Sequence, residues 1–452
     1  MDKNFPMPSP YPGNASRPST LMTNPEFTRR RFLKASLIAA SAPFILPSHL
    51  RAADRPPNDR IALGIIGTGR MGGTLINRFL GEPDVRIVAV CDVDTIRREH
   101  HQQRINEHYA ETANPSHHEG CEAYNDFREV LGRDDIDGVV IATPDHWHAI
   151  MSIEAARANK DIYCEKPLSQ SVNEAGAMVA AVRNHKRIFQ TGSQQRSSAN
   201  FRRACTLVRN EAIGKLQRVN VALPAGLATW CDLPEEDAPD GLDWDLWLGP
   251  APERGWNEEL SPRGVHSHFP DWRNYREYGG GMITDWGAHH FDIAQWAMGT
   301  DDSGPVEVIP PPKENAASGA RLIYRNGVEL THLEGNGITF FGTKGQLFVN
   351  RHNLEVTPEG LEERPLPDDA DRLYQSDNHT RNWLDCMRSR KKPICDVEIG
   401  ARSVTICHLV NMAYWHRERM TWNPHENEFM GNTGDPDWLD VPYRTPWKLP
   451  EV

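Results

Sequence analysis

Long apolar runs are missing from this chain of 452 residues. The one mildly apolar stretch near the start, Ala35 to Leu46, is too short to span a bilayer, so no stable membrane anchor is expected. The eight cysteines form no C-x-x-C pair and show no Cys/His spacing suited to zinc; small buried hydrophobes is their simplest role, and no metal is expected. There is no internal repeat, and no long low-complexity tract apart from a Pro/Ser-rich start. An excess of basic charge is also missing. Lys and Arg number 50 against 62 Asp and Glu, and residues 1 to 53 hold seven of the former and two of the latter, so a net charge of −12 becomes −17 for the rest. Such a surface repels nucleic acid and anionic lipid. The length points to two domains after a leader.

The leader is legible. Thr28-Arg29-Arg30-Arg31-Phe32-Leu33-Lys34 precedes the short apolar stretch, and Ala52-Ala53 supplies small residues for cleavage. The paired arginines followed by Phe-Leu-Lys resemble a twin-arginine signal, which exports folded proteins. Residues 1–53 are therefore expected to be removed and the mature protein to be periplasmic.

The rest is organised around Ile61 to Gly73. An apolar run of strand length enters Gly67-Thr68-Gly69-Arg70-Met71-Gly72, and Met71, Leu75, Ile76, Phe79 and Leu80 then share a helical face. In a strand–turn–helix, Gly67 allows the tight turn, Gly69 admits a diphosphate and Gly72 lets helix and strand pack closely. The diphosphate would sit on the helix N-terminus. A second strand, Arg86 to Val90, leads to Asp92, 20 residues past Gly72. A carboxylate there accepts both ribose hydroxyls and repels a 2′-phosphate, favouring NAD; Arg97 and Arg98 follow closely and keep NADP open.

Strands and helices alternate to about Lys186, which predicts a parallel sheet covered on both faces and a Rossmann domain over 54–186. The fourth strand, Gly138 to Ala142, ends in Thr143-Pro144-Asp145-His146-Trp147-His148, and the fifth, Asp161 to Cys164, in Glu165-Lys166-Pro167. Both ends should face the cofactor. A helix capped by Ser169 or Ser171 follows, then a strand from Arg187 to Ser193 leading to Arg196. Thr229 to Tyr278 is long, irregular and rich in Trp, Pro and Gly, and its tryptophans suit either sugar stacking or core packing. A helix from Met282 to Met298 places Asp285 and His289 on one face. Four strands between Arg321 and Val349 read as an antiparallel meander, and a helix runs from Ile399 to Trp415. Residues 187–452 thus form a second domain of mixed sheet and helices.

With the glycine turn, Glu165-Lys166-Pro167 and the stretch GGGMITDWGAHHFDIAQW together, the chain resembles the Gfo/Idh/MocA oxidoreductases. The resemblance implies an α/β chain: a Rossmann domain plus a C-terminal α+β domain with an open, mostly antiparallel sheet, substrate on one face and homodimer or homotetramer contacts on the other. It implies Lys166 and His289 as catalytic residues, Asp285 as the group that orients substrate, and Thr143, Pro144, His148 and Glu165 beside the cofactor. Asp145 stands where many members carry Asn. Arg196, Trp272, Arg273 and His290 are candidate substrate contacts.

The chemistry agrees. Oxidising a secondary alcohol needs a base for the hydroxyl proton, a role for His289, and a donor that steadies developing alkoxide charge, a role for Lys166. The expected activity is hydride transfer between a sugar or polyol and tightly bound NAD(P). The alternatives are a redox-neutral glycoside hydrolase or lyase working through transient oxidation, and a non-catalytic sugar-binding protein.

Overall fold

The run Ile61–Ile66 becomes β1, buried almost throughout, as a central parallel strand must be. The computed structural model describes residues 60–112, 120–361, 366 and 368–452, so the twin-arginine leader lies outside the described residues. After β1 come α1 (Arg70–Leu80), β2 (Val85–Cys91), α2 (Thr95–Thr112), β3 (Glu122–Tyr124), α3 (Phe127–Leu131), β4 (Gly138–Ile141), α4 (His148–Arg157), β5 (Asp161–Cys164), α5 (Val172–Asn184) and β6 (Phe189–Thr191). All six strands are parallel, in the order β3-β2-β1-β4-β5-β6. The order reverses between β1 and β4, which opens a crevice at their carboxyl ends. Of the two candidate serines, Ser171 caps α5: its hydroxyl accepts the Glu174 N–H while the Glu174 carboxylate accepts the Ser171 N–H.

The second half contains α6 (Ala199–Arg209), β7 (Leu216–Leu223), α7 (Trp244–Leu248), α8 (Gly281–Asp285), α9 (Gly287–Met298), β8 (Pro305–Ile309), β9 (Arg321–Tyr324), β10 (Glu329–Glu334), β11 (Gly337–Gly342), β12 (Gln346–Val349), β13 (Leu354–Thr357), α10 (His379–Ser389), α11 (Val397–His416), β14 (Met420–Asn423) and β15 (Glu428–Met430). The sheet order is β13-β12-β11-β7-β10-β9-β8-β14-β15. The expected meander is thus interrupted: β7 inserts between β10 and β11, parallel to the first and antiparallel to the second. Val219, Val221 and Leu223 alternate inward, so the most regularly apolar strand takes a central place. Helices α6, α9 and α11 cover one face, with Phe201, Phe291, Leu409 and Phe340 in their shared core.

Two boundaries differ from the sequence reading. The parallel sheet continues past residue 186, because Phe189 pairs with Ile162 in β6. Helix α10 then returns to the first sheet: Trp383 is fully buried, its ring 5.8 Å from those of Phe79 and Tyr163. The expected Met282–Met298 helix is broken at Trp286, whose carbonyl accepts both the His289 and His290 N–H groups. Asp285 therefore ends one short helix and His289 lies in the first turn of the next.

Candidate active site

The crevice at the carboxyl ends of β1, β2, β4 and β5 is a cleft of 510 Å³, closed on its far side by residues of the Trp- and Pro-rich segment, Leu246, Trp247, Leu260, Pro262 and Phe269 among them. One end is built from the glycine turn. Gly67 has a φ of +84°, and a Cβ there would lie 2.7 Å from the Ala142 carbonyl carbon and oxygen. At Gly72 a Cβ would collide with the Gly67 carbonyl oxygen, whereas above Gly69 none of the described residues lies within 4 Å. That open space meets the N-terminus of α1, where no side chain caps the free N–H groups. A diphosphate fits there.

Asp92 lines the same end, and Thr68, buried, holds it: Oδ2 accepts the Thr68 N–H at 2.8 Å and the Thr68 hydroxyl at 3.2 Å. Oδ1 accepts Arg97 Nη1 at 3.1 Å. Arg97 also donates to the carbonyls of Pro262 at 2.7 Å and Gly264 at 3.1 Å, so it straps the irregular segment across the cleft. Arg98 donates to the Asp92 carbonyl and to Asn125. Both arginines are committed to the protein itself.

Arg70, Met71, Thr143, Pro144 and Glu165 also line the cleft. Burial pushes Glu165 up to about 7, against the pull of Lys166. His148 does not reach the cleft, which corrects the expected cofactor contact. It is buried and spans the carbonyls of Pro167 at 2.7 Å and Thr143 at 3.0 Å, so it braces the two loops that do.

At the other end Lys166 meets Asp285 in an ion pair, and Nζ donates to the Asp285 carbonyl at 3.1 Å. Burial would raise the Asp285 carboxyl, but Lys166 and Arg273 offset it and hold it below the usual range. His289 is buried, with Nδ1 lacking a hydrogen-bond partner among the described residues; burial, then Lys166 and Arg351, push its pKa well below ordinary, so the ring is neutral at pH 7. Asp145 is only 4% exposed, lines the cleft, and its carboxyl makes no hydrogen bond among the described residues. Burial drives its pKa well up, despite Lys166. Trp272 and Arg273 also line this end, the guanidinium 4.6 Å over the indole.

Two other candidates are elsewhere. Arg196 is 1% exposed and grips Asp292 through Nε and Nη2 at 2.8 Å, with Asp301 beside it, so its charge is spent inside the second domain. His290 is fully buried and donates from Nδ1 to the Ala222 carbonyl. Neither lines the cleft, which corrects the expectation of substrate contact. Arg351, on the β12–β13 turn, lies outside every sequence motif yet lines the cleft beside Trp286. Among the described residues no group of three or more His, Cys, Asp or Glu side chains is arranged to hold a metal.

A parallel sheet with room for a dinucleotide at its switch point, and a lysine, an aspartate and a neutral histidine beyond it, is the design of an NAD-binding oxidoreductase. The chain belongs to the Gfo/Idh/MocA oxidoreductase family: residues 61–193 match its NAD-binding Rossmann fold and residues 205–449 its C-terminal alpha/beta domain. It is similar to the inositol 2-dehydrogenase of Rubrobacter xylanophilus, 32% identical over 162 residues, 35% of this chain and 43% of that one. It is also similar to glycosyl hydrolase family 109 protein 2 of Shewanella sp. strain ANA-3, 34% identical over 169 residues, 34% and 36% of the two chains. The chain spans roughly a third to two thirds of the length of the curated relatives it matches. The aldose-aldose oxidoreductase of Caulobacter crescentus shares the fold, at a TM-score of 0.55 and 18% identity, with 80% of this chain and 99% of that one covered.

Proposed function

We propose that this protein oxidises a secondary alcohol of a sugar or polyol, using a nicotinamide cofactor it holds tightly. The observation that carries this reading is the Lys166–Asp285 pair beside a neutral His289, where the nucleotide cleft meets the substrate space. When bound, the nicotinamide supplies a ring carbon that takes up and returns hydride. His289, with Nδ1 buried, has Nε2 left to take the hydroxyl proton. Lys166, fixed by two Asp285 oxygens, donates to the same substrate oxygen and stabilises its developing charge. Asp285 holds that ammonium in place. Asp92 favours NAD: a 2′-phosphate would meet its carboxylate, and Arg97 and Arg98, already engaged, are not free to offset the repulsion.

The second reading is a redox-neutral glycoside hydrolase or lyase, and Asp145 favours it. A buried acid in the same cleft as Lys166 supplies the extra proton transfer that elimination across a ring requires. The likeness to the family 109 glycosyl hydrolase points the same way. Export by the twin-arginine route, carried by Arg29 and Arg30, would bring the folded protein out with its nucleotide; an R29K/R30K variant should stay in the cytoplasm. Homodimers or homotetramers are the assembly to look for in sedimentation.

The test starts with protein from the periplasm, denatured to identify released nucleotide by mass spectrometry, then sugars added to the native protein while absorbance at 340 nm is followed. Lasting absorbance supports the oxidoreductase. Release of aglycone from a glycoside with no lasting absorbance supports the second reading. Protein carrying no nucleotide and binding none would sink both.

A further inference from the structure

Cations outnumber anions at the substrate end of the cleft. Lys166, Arg273 and Arg351 all line it, and Asp285 faces them as a carboxylate held below its usual pKa. The two other carboxyl groups there balance them less than their number suggests, since burial pushes Asp145 well up and moves Glu165 up to about 7. Lys166 spends its charge on Asp285. Arg273 donates to the Pro270 carbonyl, and its Nε stands 3.9 Å from Asp285.

Arg351 is different. Among the described residues it has no hydrogen bond and no ion pair, and its guanidinium lies 4.4 Å over the Trp286 ring, the residue between Asp285 and His289 in the broken helix. The turn that presents it is well fixed: Asn350 Oδ1 accepts the N–H groups of His352 at 2.9 Å and Asn353 at 2.8 Å. Its charge is felt by both Asp285 and His289. Burial lowers its pKa, and Asp285 is the group that opposes the shift. A planar fork stacked on an indole at the exposed rim of the cleft, with no acceptor among the described residues, suits an oxyanion brought by a ligand.

We infer that the substrate is an acidic sugar, a uronate whose carboxylate is held by Arg351 with Arg273 beside it. The inference rests on the sugar-oxidising reading of this cleft and narrows it. A carboxylate gives this guanidinium a charge-assisted, two-pronged partner, where a neutral sugar would leave it to water.

The test is calorimetric binding to the protein as purified, with its nucleotide. The probes are glucuronate and galacturonate, each against its uncharged amide, with glucose 6-sulfate as a third arm. One uronate should bind roughly 10- to 100-fold more tightly than its amide, the range for a charge-assisted hydrogen-bonded pair. R351M should abolish that difference, and R351K should keep part of it through its point charge. Amide and acid binding alike, a preference that survives in R351M, no binding of either uronate, or tighter binding of the sulfate would each overturn the uronate assignment. Arg351-dependent uronate binding without absorbance at 340 nm in any turnover assay would sustain this inference while failing the oxidoreductase reading.

Discussion

Lowering the pH from 7.5 to 5 perturbs a specific set of buried groups. Burial holds His101, His146, His148, His290, His332, His379 and His408 down to about 4, and His289 well below its ordinary value. Each binds a proton in the unfolded chain below about 6.5 but not in the folded one. The stability they contribute is present above 6.5 and lost as the pH falls. Glu165 and Glu174, moved up to about 7 by burial, and Asp145, moved up as well, work in the opposite sense: they keep a proton in the fold that the unfolded chain has released. Eight histidines against three carboxyls leave an excess of about four protons near pH 5.5, or roughly 5–6 kcal/mol per pH unit. Total stabilities are about 5–15 kcal/mol, so the fold should fail within about two units below neutrality. Urea unfolding followed by tryptophan fluorescence at pH 7.5, 6.5, 5.5 and 5 measures the slope. His332→Gln, placed to keep the hydrogen bond to the Tyr414 hydroxyl, should flatten it by about one proton. A slope below about one proton in the native protein would refute the reasoning.

Gly72→Ala drives a Cβ into the Gly67 carbonyl, so protein purified with it should lose nearly all bound nucleotide by mass spectrometry. Lys166→Met should keep its nucleotide yet slow reduction by substrate about 10²- to 10³-fold, as removal of one charge-stabilising donor does elsewhere. Arg196→Met leaves Asp292 buried without its partner; a loss of about 3–5 kcal/mol in urea unfolding is expected, with turnover per folded molecule preserved. A loss of turnover at unchanged stability would restore Arg196 to the site. Asp92→Ser should move the NADP-to-NAD affinity ratio at least about tenfold toward NADP, read by competition.

Much of the first half was legible because its signals are local. Strand, glycine turn and acid lie within one βαβ unit, and Gly67, Gly69 and Asp92 line one cleft. Lys166, Asp285 and His289 stood in motifs, and all three converge there. The misplacements share a cause, since a polar residue beside a motif does not announce which way its side chain turns. His148 and Arg196 follow the right strands but point into carbonyls and carboxylates of the fold itself. His290 sits one position past His289, about 100° around the helix, and meets β7 instead. Arg351 carried no signal at all, because its turn reads as an ordinary hairpin loop and only the sheet order brings it to Trp286.

The return of α10 to the first sheet bears on how this chain comes off the ribosome. Tyr163 and Phe79 are made early, but the indole that covers them belongs to Trp383, more than two hundred residues later. Asp84 likewise waits for Arg381 and Arg388. The nucleotide-binding half is therefore finished only once residues 379–389 have been made. A fragment ending at residue 193 would carry the glycine turn and Lys166 with an open apolar wound on the sheet's flank, exposed to every other nascent chain. Fusions, truncations and domain swaps in this protein must carry residues 379–389 along with the sheet they close.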